Sequence, residues 1–79
     1  MIEAQEIEKR ILSVLPDAVI RIEDLTGTKD HYSVAVVSKE FEGLQPLKRQ
    51  RLVYAPFKDV LGGPLHALTL VTKTPQETY

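Results

Sequence analysis

A chain of 79 residues can build one small core but not two, so a single domain over residues 1–79 is expected. Apolar residues make up 43% and charged residues 27%, an ordinary balance for a globular chain, and no apolar run approaches the roughly 20 residues of a membrane span. The absence of cysteine excludes a disulfide framework and suits a reducing compartment, expected here as the cytoplasm. A net charge of −1 leaves any nucleic-acid affinity to a local basic patch.

The opening Met1-Ile2-Glu3-Ala4-Gln5-Glu6 is acidic, unlike a signal or transit peptide. Residues 3–15 place Ala4, Ile7, Ile11, Val14 and Leu15 at helical spacing, with Glu3, Glu6 and Glu8 early and Lys9 and Arg10 later, as the helix dipole favours. Pro16-Asp17 ends this helix. Val19-Ile20-Arg21-Ile22-Glu23 alternates, which predicts a half-exposed strand with Ile20 and Ile22 on one face. A polar stretch over 25–30 then leads to a second strand over 31–38. That strand is apolar on both faces, which places it centrally in a sheet with helices on one side.

In Lys39-Glu40-Phe41-Glu42-Gly43, Phe41 is expected to plug the core and Gly43 to permit a tight turn. Pro46 suits a first helical position. An apolar stripe of Leu47, Val53, Tyr54, Phe57, Val60 and Leu61 predicts a helix to about residue 61, bent or split by Pro56. Gly62-Gly63-Pro64 then releases into a strand over 65–73, with His66 at its second position and Thr74-Pro75 as its stop. The architecture is therefore α-β-β-α-β with a three-stranded mixed sheet, its second and third strands parallel and joined by a right-handed crossover.

Four separated blocks resemble the BolA-like proteins: Ser38-Lys39-Glu40-Phe41-Glu42-Gly43, Arg49-Gln50-Arg51-Leu52-Val53-Tyr54, His66-Ala67-Leu68 and Thr72-Lys73-Thr74-Pro75. Asp30-His31-Tyr32-Ser33-Val34-Ala35-Val36-Val37 is similar to the second strand of that family, so the resemblance covers nearly the whole chain. It implies an α+β domain similar to a class II KH fold. It also implies a heterodimer with a monothiol (Cys-Gly-Phe-Ser) glutaredoxin, bridged by a 2Fe–2S cluster that glutathione and the glutaredoxin cysteine help to hold. The ligand it implies on this chain is His66. The second ligand in family members is a histidine or cysteine between the first two strands; residues 26–30 contain neither, and Gln50 stands where many members carry histidine.

His31 is the other candidate ligand. If strands two and three are parallel, His31 and His66 open neighbouring strands at one end of the sheet and can share a metal. With no thiol of its own, the isolated chain is expected to bind no cluster. Lys48, Arg49, Arg51 and Lys58 form a basic stretch assigned to the second helix. Its ordinary role is a solvated face; its functional role would be an acidic partner, glutathione carboxylates or a phosphate backbone. A KH-type Gly-x-x-Gly clamp is absent, since Gly43-Leu44-Gln45-Pro46 lacks the second glycine.

Catalysis is not expected. Ser13, Ser33 and Ser38 lie outside any nucleophile elbow, no phosphate loop exists, and Asp30 and His31 as strand neighbours should point to opposite faces. The sequence thus favours a non-enzymatic glutaredoxin partner in iron–sulfur cluster transfer or iron sensing. The alternative is a nucleic-acid-binding regulator using the basic second helix.

Overall fold

A computed structural model describes residues 2–78. Its elements are helix α1 (Ala4–Val14), strands β1 (Val19–Asp24) and β2 (His31–Val37), helix α2 (Pro46–Tyr54) and strand β3 (Ala67–Lys73), with short 3-10 turns at Lys39–Phe41, Ala55–Phe57 and Pro75–Thr78. The expected α-β-β-α-β order is present. The sheet runs β1-β2-β3, with β1 antiparallel to β2 and β2 parallel to β3.

Side-chain period decides which face is covered. Along β2 the even positions Tyr32, Val34 and Val36 are buried, and across the ladder they align with Ile20 and Ile22 of β1 and with Leu68 and Leu70 of β3. The helices lie on that face. Ile7 and Ile11 come from one stripe of α1 and Leu15 from just past its end, Val53 from α2, and Phe41, Phe57 and Leu65 from the connections, all without solvent exposure. Burying each such side chain contributes about 1.5–3 kcal/mol. The odd positions of all three strands form an open face.

Phe41 is the plug the sequence suggested, and Gly43 at φ +79° turns the chain out of it toward Pro46, the first residue of α2. Two details differ from expectation. Helix α2 stops at Tyr54 rather than near residue 61, because Pro56 has no amide to donate and the backbone tightens into the 3-10 turn. Leu47 and Leu61 are accordingly outside the core: Leu47 lies on the solvent side of the first helical turn and Leu61 in the turn past the helix.

Arg10 ties α1 to the segment that follows α2. Its guanidinium bonds Glu6 (2.9 Å), the Pro56 carbonyl (2.8 Å) and Asp59 (2.7 Å), and it lies over the Phe57 ring.

Candidate functional site

The end of the sheet where β2 and β3 begin is set by the 25–30 loop. The Asp24 carboxylate accepts from the amides of Gly27 (2.9 Å) and Lys29 (3.1 Å), and this local acceptor accompanies the left-handed backbone of Gly27 and Lys29. The loop delivers the Asp30 carbonyl to the start of β3, where it accepts from both His66 (2.7 Å) and Ala67 (3.0 Å). From the other side, Gly62 at φ +90° closes a turn whose amide bonds Leu65 (2.8 Å). Leu65 is fully buried, so it anchors the turn and leaves the next residue, His66, outside.

His66 therefore precedes β3 instead of standing second within it. Its amide bonds to Asp30, ahead of β2, so the paired strand starts one residue later. The two imidazoles meet nonetheless. The rings of His31 and His66 are 5.3 Å apart between centroids and inclined at 38°. Parallel pairing, with His31 opposite Ala67, brings them to the same sheet end as anticipated.

A third side chain joins them that the sequence reading set aside. His31 Nδ1 lies 3.0 Å from Asp30 Oδ1. The rule that strand neighbours face opposite ways fails here because Asp30 is still in the loop, one residue before β2. Hydroxyls of Thr28 and Thr26 also donate to this carboxylate. The Thr28 hydroxyl first, and then the His31 N–H, hold the Asp30 carboxyl down to about 2. An ionised carboxylate can only accept, so His31 Nδ1 carries a proton, and in the neutral imidazole Nε2 is the nitrogen left with a lone pair. No hydrogen bond engages the exposed His66 ring among the described residues. Nor do the described residues contain any group of three or more His, Cys, Asp or Glu able to hold a metal. What this end of the sheet brings together, among the described residues, is two imidazoles and one carboxylate.

The basic stretch breaks apart in three dimensions. Arg49, its side chain only 12% exposed, is spent on the fold: it donates to the Leu44 carbonyl (2.8 Å) and to Glu77 (2.6 Å) and lies over the Phe41 ring. Glu77 in turn accepts from the Thr74 amide (2.8 Å), the capping-box contact its spacing from Thr74 allows, and Arg49 is the main reason its carboxyl sits down at about 2. Lys58 lies beyond the end of α2. Lys48, Arg51 and Lys58 remain exposed. Arg49 is thus withdrawn from the set of residues available to a partner or nucleic acid.

Comparison with known proteins gives one consistent picture. The family model described as BolA-like protein matches residues 6–77. The human BolA-like protein 1 is 53% identical over 51 residues, 65% of this chain and 37% of that protein, so the match spans little more than a third of the relative's length. A Vibrio cholerae relative named as the DNA-binding transcriptional regulator BolA is 45% identical over 51 residues, 65% of this chain and 48% of its own. Among solved structures, BolA1 from Arabidopsis thaliana superposes with a TM-score of 0.86 at 37% identity, covering 99% of this chain and 100% of that one.

Proposed function

The chain belongs to the BolA-like family, and from that premise we propose that it is a non-enzymatic partner of a monothiol glutaredoxin, co-ligating a bridging 2Fe–2S cluster for transfer or iron sensing. The observation that carries this reading is the pair of imidazoles at one sheet end, 5.3 Å apart, with no group of three or more metal-holding side chains among the described residues. Such a donor set suits a cargo shared between two proteins and is too small for a self-contained site.

In this reading His66, exposed on a turn anchored by Leu65, is the primary ligand. His31 is the second, its Nε2 presented by the Asp30 bond at Nδ1. The glutaredoxin supplies the cysteine and binds the glutathione. Imidazole in place of thiolate leaves a cluster less negative and raises its reduction potential, which suits a labile, transferable cargo. A cytoplasmic setting fits a thiol-free chain, and relatives named as chloroplastic or mitochondrial make an organelle the competing outcome of localisation imaging. No helix among the described residues is long and apolar enough to cross a membrane.

The test is reconstitution with a monothiol glutaredoxin, glutathione, iron and sulfide. A heterodimer should form whose visible absorption and circular dichroism change on His66→Ala and, less strongly, on His31→Ala. A spectrum and cluster lifetime indifferent to both substitutions would reject the assignment. The name of the Vibrio relative supports a second reading, in which Lys48, Arg51 and Lys58 bind a phosphate backbone. It requires nucleic-acid affinity that falls steeply with salt and drops on Arg51→Ala.

A further inference from the structure

The two edges of the sheet are finished differently. At the β3 edge the Tyr54 hydroxyl donates to the Leu68 carbonyl (2.7 Å), so α2 covers an outward-facing backbone acceptor. At the β1 edge the ladder phase is set by Leu25, whose amide donates inward to the His31 carbonyl (2.9 Å). Inward bonding alternates along an antiparallel strand. Arg21 and Glu23 therefore bond toward β2 as Leu25 does, while the N–H and C=O groups of Ile20, Ile22 and Asp24 point away from the sheet. Those outward groups have no backbone partner among the described residues. An uncovered row of this kind is a template for another strand.

The side chains along the same edge read symmetrically. On the open face stand Val19, Arg21, Glu23 and Leu25, in the order apolar, basic, acidic, apolar, with Val19 and Leu25 left 66% and 54% exposed. We propose that β1 pairs antiparallel with β1 of a second copy of this chain, about a two-fold axis through Ile22. In that register Arg21 faces Glu23 of the second copy and Val19 faces its Leu25, each pair occurring twice by symmetry. Ile22 exchanges backbone hydrogen bonds with its own counterpart, and Ile20 does so with Asp24 of the second copy. The Asp24 carboxylate is turned back onto the Gly27 and Lys29 amides, so it sets no free charge against Ile20.

Other registers lose the charge pairing. An axis at Arg21 or Glu23 sets like charges opposite one another at its centre. An axis at Ile20 sets Arg21 against Val19 and loses the ion pairs. The product is one continuous sheet built from two three-stranded ones, with both open faces on the same side. The two histidine pairs lie at opposite ends of it and stay free, so this assembly is independent of the proposed cluster site. Edge pairing of one short strand buries well under the roughly 1,600 Å² of a standard interface, so the dimer is weak and depends on concentration.

Sedimentation equilibrium from low micromolar to millimolar protein, at low salt, tests this. The wild type should dimerise at the upper end of that range. Arg21→Glu and Glu23→Arg should each weaken association roughly tenfold, because each places like charges opposite one another twice. The double variant R21E/E23R should restore association. Amide hydrogen exchange in the unmodified protein supplies a second readout, with Ile20, Ile22 and Asp24 gaining protection as concentration rises. A wild type monomeric throughout, a double variant no better than the singles, or exchange at those amides unchanged by concentration would each overturn the proposal.

Discussion

The two patches that the sequence offers to a partner, the histidine end of the sheet and the basic stretch of α2, differ in what the fold has already done with their side chains. At the histidine end the backbone does the structural work. Asp30 holds the start of β3 through its carbonyl, Leu65 anchors the turn, and the His66 ring and the His31 Nε2 are left over. On α2 the side chain does that work: Arg49 joins the Leu44 turn, the Phe41 ring and the Glu77 carboxylate. Availability therefore separates the two patches better than residue type does. A cation engaged by a carbonyl, a carboxylate and an aromatic face has little left for a ligand, whereas the His66 ring makes no hydrogen bond among the described residues and the His31 ring makes one, through Nδ1.

The contrast can be broken from the structural side first. Phe41→Ala removes the fully buried ring beneath Arg49 and should cost about 3–5 kcal/mol in chemical denaturation. Arg49→Ala should lower the melting temperature by several degrees, because it frees the Leu44 carbonyl and Glu77 together. A basic residue serving only a partner would leave melting unchanged.

Acid offers a gentler probe. The Glu77 and Asp30 carboxyls stay ionised in the fold down to about 2, against ordinary values of 4.5 and 3.8. Their contribution is complete above those ordinary values and is lost as pH falls toward about 2. Glu77→Gln should therefore lower stability near neutrality and flatten the acid limb of a stability–pH profile below pH 4.5, the variant and the wild type converging as pH falls toward about 2. The smallest effect belongs to the other patch. His66→Ala and His31→Ala should change stability by no more than about 0.5 kcal/mol, which calorimetry on the free chain can check.

Much of this architecture is legible in the sequence because its signals are local. Alternation marks β1, Pro46 opens the second helix, and Gly62-Gly63-Pro64 announces the last strand. The meeting of His31 and His66 was also readable, since it needs only parallel strands and a shared end. What escaped were contacts decided by the exact start of an element or by long-range closure. Asp30 reaches His31 because β2 begins one residue after it. Arg49 meets Glu77 across 28 positions of sequence, and a charge on a helix face does not announce that the segment after β3 will fold back onto it. Leu47 and Leu61 satisfied a helical stripe whose helix ended at Tyr54.

The central claim, that histidine of this chain ligates a shared cluster, is tested most directly by isotope labelling. The chain is produced with 15N-histidine and assembled with an unlabelled glutaredoxin, glutathione, iron and sulfide. The reduced cluster is then examined by pulsed electron paramagnetic resonance. The account predicts 15N hyperfine couplings of directly bound imidazole, lost in His66→Ala. A cluster-containing heterodimer without any 15N coupling, or with couplings unchanged in His66→Ala, would contradict it.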